Sequence, residues 1–343
     1  MLALRKTEVD ERLGLFEVPE PAPAAGDVVV EVRAAGICGS DLHIDHGSPS
    51  YRFVYDRLPL TLGHELAGVV IATAPDVTDL GPGDRVVIRP SVACGRCPAC
   101  LADDEDGCTN RMGIGMTREG GFAARVVAPA RNCIVMPDGL SFETAALTEP
   151  LTVAFQAVRR AAILPGERVL VLGPGPIGLG IALMARTTGA TVSLRGRDDG
   201  PRLALARALG IDDAVEGGID GPFDVVFDAS GSGEAVALGL GLLRQGGRLV
   251  LAGLYGPEFR IDADLVVRRQ VDVLGSHRAP VSAWLVVLAM IAQWPDRFAR
   301  MVTHRVRLAD AGEGFALAER REATKVMLLP GGPEGEIIAG STG

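Results

Sequence analysis

The chain has no apolar run long enough to cross a bilayer. The longest near the C-terminus, residues 284–292, falls well short of the roughly 20 that a spanning helix needs. The N-terminal stretch MLALRKTEVDERLG has no apolar signal core either. Aromatic residues make up 4% of the sequence, no cluster of Lys and Arg interleaves with them, and the net charge is −9. Nucleic acid and anionic membrane are therefore poor partners, a small molecule is the better one, and a soluble cytoplasmic protein is expected. Cysteine is scarce, six in 343 residues, and a chain of this size without a secretory signal needs no disulfide staples. Repeats and low-complexity tracts are absent as well.

The length predicts two domains, and a hydrophobic fraction of 48% is ample for two cores. The first 150 residues read as short strands at 27–34, 65–74, 84–88 and 123–128, punctuated by Gly and Pro. Beyond Pro150 the texture changes. Apolar runs VLVL, VVF, RLVLAGL and VDVLG alternate with helical segments such as 178–188 and 202–209, which predicts βαβ units and a parallel sheet over 151–280. A last section, 281–330, carries helices at 281–293 and 310–319 and a strand at 324–329. The tail 331–343 has little to bury and is expected to be mobile.

Four of the six cysteines, Cys94, Cys97, Cys100 and Cys108, lie within fifteen residues in the pattern C-x2-C-x2-C-x7-C. Four thiolates on one short loop give zinc a closed tetrahedral shell, a structural site with no open position for chemistry. The acidic run Asp103-Asp104-Glu105-Asp106 inside the loop repels phosphate and argues against a nucleic-acid finger.

After the apolar strand at 168–172 comes Gly173-Pro174-Gly175-Pro176-Ile177-Gly178 and then a helix. This is the G-x-G-x-x-G turn in its required context: a tight turn, a close approach for pyrophosphate, close helix–strand packing, and a helix N-terminus facing the anion. The next strand ends in Arg195-Gly196-Arg197, with Arg197 where a chain that binds NAD carries an acid for the ribose. A guanidinium suits a 2′-phosphate, so NADP is expected, with Arg195 and Arg202 able to add charge. The competing assignment gives the ribose contact to Asp198 or Asp199.

Two further fragments, Cys38-Gly39-Ser40-Asp41-Leu42-His43 and Gly63-His64-Glu65, are weak alone but not beside a dinucleotide turn and a zinc loop. Cys38 and His64 offer sulfur and nitrogen, with Glu65 or Glu149 as oxygen ligand. A three-residue shell leaves a fourth position for water or a substrate oxygen, as catalytic zinc requires. Cys133 reads as buried and inert. For Tyr51, Phe53 and Tyr55, packing outranks substrate recognition.

Taken together these motifs resemble the zinc-containing medium-chain dehydrogenase/reductase superfamily, the alcohol dehydrogenase family, over nearly the whole chain. The resemblance is strongest to the polyol branch with sorbitol, idonate and threonine dehydrogenases. It rests on Cys38-Gly39-Ser40-Asp41, His64-Glu65, Thr148-Glu149-Pro150-Leu151 and Met301-Val302-Thr303-His304-Arg305. It implies an α/β fold: a GroES-like β-rich catalytic domain over 1–150, a Rossmann domain with a doubly wound parallel sheet over 151–280, and a C-terminal return to the first domain over 281–330. It implies catalytic zinc on Cys38, His64 and Glu65, with Glu149 binding the metal or its water, and so two zinc ions per subunit. In such enzymes zinc acidifies the substrate hydroxyl and hydride passes to the nicotinamide. Ser40 then takes the proton and hands it through the cofactor ribose to His43, while Asp41 accepts the N–H of His64. Arg278 falls where sorbitol dehydrogenases place an arginine near the polyol, and Ala279 where they have an aromatic residue. The implied reaction is oxidation of a secondary hydroxyl of a polyol, sugar derivative or diol with NADP, in a homodimer or homotetramer. The alternatives are a simple alcohol or aldehyde reductase, and an NAD-dependent threonine or sorbitol type.

Overall fold

Asp27–Gly36, DVVVEVRAAG, is a ten-residue strand because valine crowds one backbone stretch where its branched side chain is stiff and fits a pleated surface. Val28, Val30 and Val32 are fully buried, each worth roughly 1.5–3 kcal/mol. Glu31 and Arg33 pair at 3.0 Å. The strand pairs antiparallel with Glu65–Thr73, Arg125–Pro129 and Lys325–Leu329. The seven-stranded sheet continues through Arg85–Ile88 to Cys133–Val135 on one side and to Val302–Arg307 on the other.

The computed structural model describes residues 1–256 and 258–330, so the tail expected to be mobile at 331–343 lies outside the described residues. The chain divides into two units: Met1–Glu149 with the chain from Trp284 on, and Pro150–Ala283. The strands Val302–Arg307 and Lys325–Leu329 therefore return to finish the sheet that the first residues began. The core of that unit joins Val28, Val30, Leu66, Ile88 and Phe122 to Phe315, Val326 and Leu328.

In the second unit six strands run parallel in the order Asp213–Glu216, Thr191–Gly196, Arg168–Leu172, Phe223–Asp228, Leu243–Leu251, Asp272–Gly275. Counted within the unit this is 3-2-1-4-5-6, the doubly wound arrangement, whose ligand crevice lies where the order reverses, between Arg168–Leu172 and Phe223–Asp228. The helix expected at 178–188 begins two residues early, at Pro176–Thr187, because proline is well suited to the first helical turn. The strand expected at 123–128 is Arg125–Pro129, and Ala123 makes an isolated bridge to Ala3. No helix among the described residues is long and apolar enough to cross a membrane.

Candidate active site

The end of the Asp27–Gly36 strand and the start of the Glu65–Thr73 strand are partners, with Gly36 opposite Glu65. A Cβ at Gly36 would collide with the Glu65 carboxylate, so glycine there lets the acid fold back over the neighbouring strand. Two residues on, the chain turns into the helix Gly39–Asp45, which the sequence did not announce. Cys38 is its N-cap residue, and the Asp41 side chain accepts the Cys38 backbone N–H at 2.9 Å, closing a capping box. One short helix thus orients Cys38, Ser40, Asp41 and His43.

The ligand atoms of Cys38, His64 and Glu65 all lie within 4.8 Å of one another. His64 is 6% exposed and Asp41 and Glu65 are fully buried. The second Asp41 oxygen faces His64 Nδ1 at 3.6 Å, and neither atom has a hydrogen-bond partner, so the pair needs only a small approach to fix the imidazole tautomer. His64 Nε2 faces the Ser40 hydroxyl at 3.4 Å. Burial alone would lower the His64 pKa, but Asp41 and Cys38 outweigh it and hold it well above the usual value. A thiol, an imidazole nitrogen and a carboxylate converging with anionic neighbours fit zinc. Glu149 is not part of that cluster. It sits in the first turn of Thr148–Ala161, where desolvation pushes its carboxyl up to about 7, against the pull of His64 and with the repulsion of Glu65.

The residue that sequence reasoning missed is Lys325. Its ammonium donates to both Glu65 oxygens at 2.8 and 2.6 Å and to the Ile37 carbonyl at 3.0 Å. Burial would lower its pKa, yet Glu65 and Cys38 raise it above the ordinary lysine value, so it is charged. A lone lysine opening the apolar strand KVMLL was the available signal. The chain has two lysines, Lys6 and Lys325, and both are buried.

Tyr51 is the second surprise. It is 6% exposed, its ring stacks on His43 with centroids 5.9 Å apart, and its hydroxyl is buried without a hydrogen bond. Burial raises its pKa, as do the charges of Cys38 and Asp41, while the nearby Ser40 hydroxyl acts in the opposite sense. Ser40 is thus the nearest polar side chain felt by the phenol. Tyr55 by contrast is packing, its hydroxyl donating to the Ser48 carbonyl at 3.0 Å, and Phe53 is exposed. His43 is exposed, with a pKa lowered by partial desolvation and by His46.

In the cysteine loop all four sulfurs lie within 4.8 Å of one another. A tetrahedron with zinc–sulfur bonds of about 2.3 Å has edges of about 3.8 Å. The Cys97–Cys100 and Cys94–Cys100 sulfur distances, 3.5 and 4.0 Å, bracket that edge. Backbone N–H groups of Cys100 and Thr109 hold the Cys97 thiol down to about 6, the state a metal ligand needs. The loop is moored by Arg89 to Glu105 at 2.6 Å and by Arg131 to the Ala93 carbonyl at 2.7 Å. Cys133 is half-buried rather than buried, at the start of the edge strand Cys133–Val135, and burial pushes its thiol up to about 12.

In the second unit the glycine turn joins strand to helix as expected. Gly173 has φ +100, and a Cβ on it would stand 2.9 Å from the Ser230 nitrogen; a Cβ on Gly178 would strike the Gly173 carbonyl. Gly175 is the N-cap, with Pro176 and Ile177 opening the helix, so free N–H groups face the crevice. Of the three arginines, Arg195 is unavailable: it is 8% exposed and tied to Asp213 at 2.9 Å and to the Gly218 carbonyl. Arg197 is exposed and bridges the equally exposed Glu234 at 3.2 Å, a surface pair worth little. Asp199 turns inward, accepting the Arg197 N–H and pairing with Arg202 at 3.3 Å. Asp198 is exposed at φ +57. Arg278 follows Asp272–Gly275 and is exposed, with φ +39.

Residues 24–138 match the family model of the alcohol dehydrogenase GroES-like domain, and 142–328 that of the glucose dehydrogenase C-terminus. The chain is 32% identical to a sorbitol dehydrogenase of Halalkalibacterium halodurans over 96% of its own length and 99% of that protein's. It is 35% identical to an L-threonine 3-dehydrogenase of Streptomyces coelicolor, again over 96% and 99%. Among solved structures, a protein of Sinorhizobium meliloti described as a zinc-binding dehydrogenase and bound to NADP superposes with a TM-score of 0.83 at 30% identity, covering 96% of this chain and 99% of that one. Matches on this scale across both units leave one assignment: the chain belongs to the zinc-dependent alcohol dehydrogenases of the medium-chain dehydrogenase/reductase superfamily, in the branch of the polyol and threonine dehydrogenases.

Proposed function

We propose that this alcohol dehydrogenase oxidises a secondary hydroxyl of a polyol, sugar derivative or diol to the ketone, with NADP as hydride acceptor. The observation that carries the reading is the buried cluster of Cys38, His64 and Glu65 with the Ser40 hydroxyl 3.4 Å from His64 Nε2. Zinc held there supplies a Lewis acid that acidifies a hydroxyl, and the nicotinamide supplies the hydride acceptor. The chain's own residues do the rest. Cys38 and His64 are the soft donors, Glu65 is the oxygen donor kept in place by Lys325, and Asp41 orients the imidazole. Ser40 accepts the proton at its oxygen, and His43, exposed and with a lowered pKa, exchanges it with solvent. The second zinc, on Cys94, Cys97, Cys100 and Cys108, holds the loop. In the other unit the pyrophosphate rests on Gly173 to Gly178 and the 2′-phosphate on Arg197, aided by Arg202. Arg278 contributes to an oxygen-rich substrate's binding. The enzyme works in the cytoplasm as a homodimer or homotetramer, with no nucleic-acid or membrane partner.

The relatives named for sorbitol and threonine oxidation support a secondary alcohol next to further polar groups. Initial rates with NADP and NAD, over a panel of polyols, sugar acids, diols, threonine and simple alcohols, test the reading. Turnover of polyhydroxylated compounds with NADP preferred is expected. A preference for short monohydric alcohols, or for NAD, would refute the substrate or the cofactor half respectively.

A further inference from the structure

Asp228 is fully buried at the last position of Phe223–Asp228, one of the two strands that flank the crevice where the sheet order reverses. Among the described residues no Lys or Arg pairs with it, and its carboxylate is filled by donors instead. One oxygen accepts the Ser230 hydroxyl at 2.5 Å and the Ser230 N–H at 3.2 Å. The other accepts the Tyr255 hydroxyl at 2.6 Å and the Gly231 N–H at 3.1 Å. A carboxylate has about four lone-pair positions, and these donors take them all. Its main-chain carbonyl accepts the Ala252 and Gly253 N–H groups at 2.8 and 3.0 Å. Asp228 thus fastens the loop after its own strand to the loop after Leu243–Leu251, which carries Tyr255. Burial, with the Asp228 bond and charge added, raises the Tyr255 pKa, so the phenol stays protonated and donates. The first of these loops backs on the glycine turn. A Cβ on Gly173 would stand 2.9 Å from the Ser230 nitrogen, and one on Gly253 would stand 2.4 Å from the Gly231 nitrogen. With no slack at either contact, the placement of Ser230 and Gly231 sets how wide the crevice stands at the glycine turn.

We propose that Asp228 is a positioning residue for the dinucleotide: by gathering Ser230, Gly231 and Tyr255 it holds the crevice at the width the pyrophosphate needs before the cofactor arrives. This rests on the pyrophosphate's place at Gly173 to Gly178 in the reading above, and is independent of the choice between NADP and NAD. Asp228→Asn keeps the shape but replaces one acceptor oxygen by an NH2 group. A hydroxyl can turn and accept from that group, whereas a backbone N–H cannot, so the N–H of Ser230 or of Gly231 is stranded and its loop moves off the glycine turn. Cofactor affinity is expected to fall about tenfold to a hundredfold. The metal cluster belongs to the other unit and is untouched, so the loss appears in the KM for cofactor while kcat holds.

The test is a fluorescence titration of zinc-loaded wild type, Asp228→Asn and Tyr255→Phe with NADPH and with NADH, which gives both Kd and the number of sites per chain. The expected result is an unchanged number of sites and unchanged zinc content in all three proteins. Kd for the tighter-binding nucleotide should rise about tenfold or more in Asp228→Asn and only a few-fold in Tyr255→Phe, which removes a single donor. An unchanged Kd in Asp228→Asn, or fewer sites at the wild-type Kd as misfolding alone produces, would overturn the role of Asp228 while leaving the dinucleotide reading intact. Should Asp228→Asn not fold, Tyr255→Phe decides, and an unchanged Kd there would overturn the proposal. A wild type that prefers NADH would refute NADP and leave Asp228 standing, and one that binds neither nucleotide would overturn the pyrophosphate's place and this proposal with it.

Discussion

Lys325→Met removes the ammonium that clamps Glu65 and puts a chain of similar length in its place. In the native protein that ammonium satisfies both carboxylate oxygens, at 2.8 and 2.6 Å, and the two side chains are 1% and 0% exposed. Deleting one partner of a buried pair strands the other charge and costs about 3–5 kcal/mol. For a unit of this size each kcal/mol moves the melting temperature by roughly 2–4 °C, so the metal-stripped variant is expected to melt about 6–20 °C below metal-stripped wild type. Zinc changes the comparison, because a dication at Cys38, His64 and Glu65 gives the stranded carboxylate a new cation. The gap between variant and wild type should therefore narrow in zinc, and by linkage that narrowing is a gain in zinc affinity, tenfold for every ~1.4 kcal/mol recovered. Thermal melts with and without chelator, alongside a competition titration with a zinc indicator, measure both. Equal melting temperatures without metal, or a gap that widens when zinc is added, would refute the reasoning.

Three more outcomes follow from other parts of the molecule. Cys100→Ser should lose one zinc equivalent per chain by elemental analysis and destabilise the loop by ~3 kcal/mol or more, since zinc binding there is folding free energy; full metal content would contradict a four-sulfur site. Arg197→Glu should lower kcat/KM with NADP about 10- to 100-fold relative to NAD, and an unchanged ratio would move phosphate recognition to Arg202. Burial would raise the Asp224 pKa, but the bonds from Arg244 and the Arg168 N–H hold it below the usual carboxylate value. A depressed carboxylate stabilises fully above its unfolded pKa of about 3.9, and loses that contribution as pH falls through the folded value. Asp224→Asn should therefore cost about 1–2 kcal/mol at neutral pH and flatten the acid limb of a stability profile, and a limb as steep as wild type would contradict this.

What could be read in advance was what is written locally. The cysteine loop, the glycine turn and the strands of the second unit each occupy a short window, and their spacing alone encodes the geometry. Lys325 could not be read that way, because its partner lies 260 residues earlier and only the return of the last strand to Asp27–Gly36 brings them together. Position singles out Arg197 for the phosphate, but the sequence leaves Arg195 able to add charge beside it. Thr191–Gly196 lies between two parallel neighbours and is buried from Val192 to Arg195, so the alternation that would have told inward from outward is lost. The resemblance implies Asp41 only as a support for His64, and the fold uses one oxygen for the helix cap while the other faces His64. Tyr51 was read as packing because a sequence shows where an aromatic ring is but not whether its hydroxyl has found a partner.

The charges around the metal cluster explain why these buried groups coexist. Asp41 and Glu65 are buried together and Glu149 feels the charge of both, and the lysine clamped to Glu65 answers only part of it. Glu149 registers the deficit: desolvation, with Glu65 and Asp41 adding repulsion, pushes its carboxyl up to about 7 despite His64 and Lys325. Such an arrangement holds more negative than positive charge as a metal-free core, and buried charge is expensive. It is well balanced around a dication. Lysine rather than arginine suits the clamp, since a compact ammonium can reach two carboxylate oxygens and the Ile37 carbonyl within one narrow space, where a planar guanidinium would need room in a single plane. By holding Glu65 from the side, Lys325 would keep the carboxylate in position before a metal bound and would temper the negative charge that a zinc ion at the proposed site would meet, favouring the Lewis acidity that the proposed reaction requires.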